Sequence, residues 1–261
     1  MIWSSNVFWM FLVGTLGLVF GSAVTALAYR VPRHLSWVRG RSACPSCHVV
    51  LGAGDLLPVF SFALSRGRCR HCGSRIGWRY PITELACATW SVLLYRQIGL
   101  GPSLPLVALW GYLLIALFWI DLDFQLLPDV LTFPGTILGI AAALLQPGGA
   151  HRALLGVIVG SGALWLVAWV YFRVRKIEGM GQGDIKLAAM FGAVLGWQDT
   201  LLTLFLAALV GSLWGLFLIL RRTGGGQTAL PFGTLLAPAA MAAFLWGETW
   251  IRGYIGLFTT R

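Results

Sequence analysis

The segment from Leu104 to Leu122, LPLVALWGYLLIALFWIDL, decides the fold of this chain. It carries no charged residue before Asp121, and about 20 mostly apolar residues are enough for a helix to cross a bilayer. Similar runs fill much of the sequence, because 58% of the 261 residues are hydrophobic and only 11% are charged. A soluble domain has about twice that charged fraction. We therefore predict an all-α polytopic membrane protein.

Eight apolar segments can be distinguished, and we predict about eight transmembrane helices from them, although the sixth is short for a span. They cover residues 7–29, 81–98, 104–122, 130–146, 153–172, 185–197, 199–220 and 230–250. Five segments contain two glycines four residues apart, a spacing that lets helix backbones approach closely in lipid. These pairs are Gly17/Gly21, Gly135/Gly139, Gly156/Gly160, Gly192/Gly196 and Gly211/Gly215.

The distribution of basic residues predicts how the chain crosses the membrane. Arg30 and Arg33 follow the first apolar segment, whereas a signal peptide has its positive residues first, so we predict a retained anchor with its N-terminus outside. Eight spans then place residues 30–80, 123–129, 173–184 and 221–229 in the cytoplasm. Of the 19 Lys and Arg residues, those that fall outside are Arg96, Arg152, Arg252 and Arg261. Because cytoplasmic loops collect Lys and Arg, the net charge of +10 indicates topology rather than nucleic-acid binding.

The hydrophilic loop at 30–80 contains two CxxC pairs, Cys44-Pro-Ser-Cys47 and Cys69-Arg-His-Cys72. Two such pairs are typical of a tetrahedral zinc site with four thiolates, which leaves no open position and so favours a structural role. Two disulfides are the alternative, which a reducing cytoplasm disfavours. His48 and His71 are alternative ligands. We therefore predict three parts: a first transmembrane helix at 1–29, a zinc-ribbon-like domain at 30–80, and a transmembrane bundle at 81–261.

Acidic residues are rare, and five of the nine lie between residues 121 and 184. Asp121 ends the third apolar segment and Asp184 precedes the sixth, so the predicted topology puts both carboxylates at one membrane depth, on the side of the cysteines. An ionisable group beside hydrocarbon is costly and usually functional. Two neighbouring carboxylates can share one proton, so that one activates water while the other polarises a peptide carbonyl. That is the chemistry of an aspartic protease.

Other roles for these acids stay open at this point. Asp121 could form an ion pair with Lys186 or with an arginine, and Asp184 could be the N-cap of the sixth helix. Asp123 and Asp129 fit solvated loop acids. Charge placement alone is equally consistent with a proton-coupled membrane transporter that uses the aspartates as a relay. A third possibility is a non-catalytic assembly factor whose zinc loop docks partners.

Several ordered motifs together resemble one family, the bacterial type IV prepilin peptidases. Besides the CxxC pairs, these motifs are Gly21-Ser22 with Tyr29-Arg30-Val31-Pro32, Arg66-Gly67-Arg68, Trp78-Arg79-Tyr80-Pro81 with Glu84, Asp121-Leu-Asp-Phe-Gln-Leu-Leu-Pro128-Asp129, Gly181-Gln182-Gly183-Asp184 with Lys186, and Pro231-Phe232-Gly233. The motif that ends in Asp184 resembles the GxGD signature of intramembrane aspartic proteases.

The resemblance implies that Asp121 and Asp184 are the catalytic pair, supported by Gly181, Gly183, Lys186 and Asp129. It implies a protein of the bacterial inner membrane that removes the short basic leader from prepilins or type II secretion pseudopilins. It also implies that S-adenosylmethionine is used to methylate the new N-terminus, although no residue of the sequence independently indicates where that cofactor binds.

Overall fold

The structure is a computed structural model that describes residues 2–36, 40–177, 179–221 and 231–259. Among these residues, regular structure is helical apart from two isolated β-bridges, which confirms the predicted all-α class. The chain divides into two compact units, Met1–Leu104 and Pro105–Arg261. Most of the predicted loop at 221–229 and the terminal Arg261 lie outside the described residues.

The first unit is built on two long helices, α1 (Ile2–Arg30) and α3 (Arg79–Ile98), which pack against each other. The contact depends on two glycines of α1. A Cβ at Gly17 would lie 2.7 Å from the Cα of Ala88, and a Cβ at Gly21 would lie 2.5 Å from the Cα of Glu84. Any larger residue would therefore separate the helices. A short helix, α2 (Phe60–Leu64), lies in the connection between them.

The second unit is a bundle of consecutive helices. They are α4 (Ser103–Phe124), α5 (Asp129–Leu144), α6 (Gly149–Arg175), α7 (Gln182–Leu195), α8 (Trp197–Leu220) and α9 (Phe232–Thr259). Each predicted apolar segment coincides with one helix among α1 and α3–α9. The short sixth segment corresponds to α7, which packs against α5, α6, α8 and α9.

Four helical stretches of the described chain are long and apolar enough to cross a bilayer: Asn6–Arg33, Ser103–Phe124, Gly149–Arg175 and Trp197–Leu220. The chain is therefore a membrane protein. By contrast, α7 has 14 residues, which at 1.5 Å per residue is well short of a hydrocarbon core of about 30 Å.

Backbone contacts hold α7 inside the second unit. A Cβ at Gly156 of α6 would overlap the carbonyl oxygen of Gly192, and a Cβ at Gly160 would lie 2.8 Å from the carbonyl oxygen of Ala188. On the α5 side, a Cβ at Gly139 would lie 2.9 Å from the Cβ of Ala193. The glycine pairs identified in the sequence are thus the places where these helices touch, as expected for association in lipid.

Candidate active site and metal cluster

The four CxxC cysteines of the first unit come together in two similar hairpin turns. In the first turn, the Cys44 N–H donates to Val49 O and the His48 N–H donates to Cys44 O. The second turn repeats this pattern: the Cys69 N–H donates to Ser74 O, and the Gly73 N–H donates to Cys69 O. Both turns place the residue after the second cysteine in the left-handed region, at φ +57° for His48 and +72° for Gly73. Each turn thereby directs two sulfurs to one point.

The sulfur geometry fits a metal ion. All four Sγ atoms lie within 4.8 Å of one another, and those of Cys44 and Cys72 are 3.8 Å apart. A tetrahedral zinc ion with Zn–S bonds of about 2.3 Å would separate its sulfurs by about 3.8 Å. The cysteines of the described chain are free thiols, so the predicted disulfide alternative is wrong. Among the described residues, neither His48 nor His71 belongs to the cluster.

The thiols influence one another's ionisation. Backbone hydrogen bonds from Cys47 and Ser46 lower the pKa of Cys44 to about 6. A backbone hydrogen bond from Val49 lowers the pKa of Cys47, but burial and hydrogen bonds with the three other thiols outweigh it and raise that pKa to about 11. The Cys44 thiolate thus forms readily, and the ionisation of Cys47 is disfavoured. A divalent cation would remove this conflict, because it binds all four sulfurs as thiolates.

In the second unit, Asp121 lies in the last turn of α4, which ends where Gln125 adopts a left-handed conformation, at φ +50°. Its side chain is buried, with 4% exposed. Carboxylate atom Oδ2 accepts two hydrogen bonds from Thr234, one from the backbone N–H at 2.6 Å and one from the hydroxyl at 2.9 Å. Thr234 lies in the first turn of α9, where backbone N–H groups lack partners within their own helix and the helix dipole favours negative charge.

Asp184 lies in the first turn of α7 and is partly buried. The prediction that it caps this helix is wrong, because the N-cap is Gly181 and makes no side-chain cap. Asp184 instead lies three residues into the helix, where its Oδ2 would be 3.7 Å from a Cβ at Gly181. It interacts electrostatically with Asp121, so the two carboxyl groups share one region of the second unit.

Two glycines and one leucine shape the space around the carboxylates. Leu127 is buried in the turn between α4 and α5, with 8% exposed. A Cβ at Gly183 would lie 2.9 Å from its Cβ, and a Cβ at Gly233 would lie 3.0 Å both from its side chain and from Asp121 Oδ2. Side chains at these two positions would therefore displace Leu127 or the carboxylate.

Lys186 forms an ion pair with Asp129, through bonds of 2.7 and 2.8 Å from its ammonium group to both carboxylate oxygens. The suggested ion pair between Asp121 and Lys186 is therefore wrong. The observed pair joins the first residue of α5 to the fifth residue of α7. Asp129 is thus an exposed acid with a specific partner. Asp123 is also exposed, on α4.

Sequence reasoning missed Thr234, although the preceding motif, Pro231-Phe232-Gly233, pointed to its neighbourhood. Its role depends on a contact with a residue 113 positions away, which no local pattern reveals. The assembled group has one buried carboxylate held by two donors and a second carboxyl group nearby. Such an arrangement can share a proton and activate a water molecule.

Comparisons with known proteins agree with the division into two units. Residues 15–98 match the model of the bacterial peptidase A24 N-terminal domain, and residues 108–216 match that of the type IV leader peptidase family. No solved structure matches the chain.

Three similar proteins all bear the name prepilin leader peptidase/N-methyltransferase. The protein from Pseudomonas putida is 36% identical, over 91% of this chain and 90% of its own length. That from Aeromonas hydrophila is 38% identical over 84% of this chain and 76% of its own length. That from Pseudomonas aeruginosa is 35% identical over 92% of this chain and 91% of its own length. With the two matching domains, these identities show that the chain belongs to the type IV leader peptidase family.

Proposed function

We propose that this protein is an intramembrane aspartic endopeptidase that removes the leader peptide from type IV prepilins and type II secretion pseudopilins. The observation that carries the proposal is that Asp121, at the end of α4, and Asp184, at the start of α7, both lie beside glycines that contact Leu127, in a chain of the leader peptidase family. The names of its relatives favour a peptidase over the alternative of a proton-coupled transporter.

In the proposed mechanism the two aspartates have different roles. The two hydrogen bonds from Thr234, together with the dipole of α9, stabilise Asp121 as the ionised carboxylate. The shared proton then resides on Asp184. Asp121 accepts a proton from the attacking water, while the carboxyl group of Asp184 donates a hydrogen bond to the scissile carbonyl and stabilises the oxyanion that develops.

Neighbouring residues support this pair. Gly183 and Gly233 leave room for Leu127 beside the carboxylates, and we propose that Gly181 and Gly183 also let the substrate backbone approach Asp184. The ion pair between Lys186 and Asp129 ties the start of α7 to the start of α5. In this proposal the substrate contacts the carboxyl groups of Asp121 and Asp184. The Lys186–Asp129 ion pair therefore supports catalysis by fixing the position of Asp184 and takes no part in the reaction itself.

We further propose an orientation in the bacterial inner membrane. With an external N-terminus, crossings by α1, α3, α4, α5 and α6 place the carboxylates and the cysteine module at the cytoplasmic face, which agrees with the excess of basic residues there. A prepilin has a basic leader in the cytoplasm and an apolar helix in the membrane, so its cleavage site lies at the same boundary. In this scheme residues 1–29 form the first span, 30–80 the zinc-binding domain, and 81–261 the catalytic bundle, all in contact with membrane lipid.

The metal at the four cysteines is proposed to be zinc in a structural role. Four thiolates complete its coordination, so it provides folding energy and no reactive position. The metal would affect cleavage only indirectly, by holding the shape of the zinc-binding domain on the cytoplasmic side, where the prepilin leader lies.

Methylation of the new N-terminus with S-adenosylmethionine is proposed from the names of the relatives alone. Two grooves of the described chain are lined by apolar and arginine side chains. Neither presents a carboxylate to bind the ribose hydroxyls or the amino group of this cofactor, so neither fits it well, and no residue is assigned to the methyl transfer.

Replacing either proposed catalytic residue should abolish cleavage. Asp121→Asn and Asp184→Asn keep the side-chain shape but cannot share the proton, so we expect a loss of at least about 10²–10⁴-fold in the conversion of a purified prepilin to its mature form, followed by gel shift. Asp123→Asn, a change of an exposed acid on the same helix, should stay within about threefold of wild type. Near-normal cleavage by either of the first two variants would refute the assignment.

Thr234 should act as a positioning residue for Asp121. Thr234→Val removes the hydroxyl bond but keeps the backbone bond, and a hydrogen bond to a charged group contributes about 1.5–3 kcal/mol. We therefore expect kcat to fall about 10- to 100-fold with KM nearly unchanged, and Thr234→Ser to restore it. Equal activity of the Val and Ser variants would mean that the hydroxyl does not support catalysis.

The metal content can be measured directly. We expect purified protein to contain one zinc ion per chain by elemental analysis, and Cys44→Ser and Cys72→Ser to lose most of it because three thiolates bind zinc far more weakly than four. Cys87→Ser is the matched control, since Cys87 is buried in α3 away from the cluster. A metal content that fell equally in all three variants would contradict the proposed ligand set.

A further inference from the structure

The first unit contains a groove that the proposed peptidase chemistry does not use. It has a volume of about 640 Å³ and is lined by Phe62, Arg66, Arg68, Arg75, Ile76 and Trp78, among others. The rings of Phe62 and Trp78 are packed with centroids 5.1 Å apart. Gly67, at φ +66°, brings the backbone against Phe62, because a Cβ there would lie 3.1 Å from the ring. The groove thus combines aromatic side chains with three exposed arginines.

The charge of the groove points to an anionic ligand. Residues 1–104 include ten arginines and only two acids, Asp55 and Glu84. Asp55 forms an ion pair with Arg70 at 3.4 Å, and Glu84 accepts a hydrogen bond from the Val59 N–H at 2.7 Å. Both acids of this unit are therefore engaged elsewhere. A planar guanidinium group is well suited to bind a phosphate through two parallel hydrogen bonds.

The hydrogen bond between Val59 and Glu84 also ties the start of α2 to the two long helices of this unit. Val59 immediately precedes α2, and its partner Glu84 packs its backbone against Gly21 of α1. Gly21 lies nine residues before the end of α1 at Arg30, which is about 14 Å along the helix axis. Because α1 is a candidate membrane span, this bond holds the start of α2 alongside the span rather than beyond its end.

Exposed apolar side chains of α2 and of the groove agree with a position beside the span. The exposed fractions are 65% for Phe60, 75% for Leu64 and 72% for Trp78. Trp78 directly precedes α3, and tryptophan is common at membrane–water interfaces. A soluble anion would need no such apolar rim, whereas a lipid headgroup is always accompanied by glycerol and acyl chains.

We propose that this groove binds the phosphate of an anionic phospholipid from the membrane that contains α1 and α3. Arg66, Arg68 and Arg75 bind the phosphate, while Phe60, Leu64 and Trp78 contact the apolar part of the lipid. The prepilin leader is not a suitable occupant, since its basic residues would be repelled by the arginines. Binding would hold the zinc module against the bilayer surface, independently of the proposed cleavage chemistry.

Native mass spectrometry of the full-length, zinc-loaded protein with added phosphatidylglycerol or phosphatidylcholine tests this proposal. Wild type should retain phosphatidylglycerol in preference to phosphatidylcholine. Arg68→Gln/Arg75→Gln should weaken retention of phosphatidylglycerol about tenfold or more. The matched control Arg96→Gln/Arg252→Gln also removes two positive charges, from exposed positions outside the groove, and should retain the lipid. Zinc content verifies that each variant is folded.

Leu64→Asn is a second, independent test that leaves every arginine in place. It should also reduce lipid retention, because Leu64 is proposed to contact the apolar part of the lipid. The proposal is overturned if both double variants lose the lipid equally, if the two lipids are retained equally, or if Leu64→Asn has no effect. Displacement of phosphatidylglycerol by millimolar inorganic phosphate would identify a site for soluble phosphate and would also overturn it. Cleavage of a detergent-solubilised prepilin peptide, measured in parallel, shows whether the proposed function fails separately.

Discussion

The close backbone contact between α7 and its neighbours is the constraint on which the candidate site depends. A helix of 14 residues cannot be positioned by spanning the membrane, and lipid provides no hydrophobic force that drives helices together. Its position comes from direct packing, with Gly156 and Gly160 of α6 against the carbonyl groups of Gly192 and Ala188. Since Asp184 lies in the first turn of this helix, the same contacts set the position of its carboxyl group.

A second constraint is the cost of burying the carboxyl group of Asp121. A carboxylate in an apolar environment must be paired or hydrogen-bonded, and here the donors come from the free end of α9 through Thr234. The contact joins the end of α4 to the beginning of α9, and Leu127 fills the space between Gly183 and Gly233. Packing and electrostatics thus act on the same few atoms, which explains why glycines accompany both aspartates.

The sequence allowed the helices to be predicted because their signal is local, whereas the catalytic roles of Asp121 and Asp184 stay a prediction. Long apolar segments identify helices from composition alone, and each of the eight segments proved to be helical. Contacts between distant residues were predicted less well. Lys186 pairs with Asp129 rather than Asp121, and Asp184 lies inside its helix rather than at the cap. Thr234 was overlooked because its partner is distant in sequence and only the folded bundle joins them.

Chemical crosslinking tests whether residues 121 and 184 face each other, and it does not require activity. In zinc-loaded protein that carries Cys87→Ser, we would introduce Asp121→Cys with Asp184→Cys, treat it with a short bifunctional thiol reagent, and identify linked peptides by mass spectrometry. We expect a link between α4 and α7. We expect little or none for Asp123→Cys with Asp184→Cys, because two residues rotate the side chain about 200° around the helix. Equal linking in both proteins, or none in the first, would contradict the paired-carboxylate site.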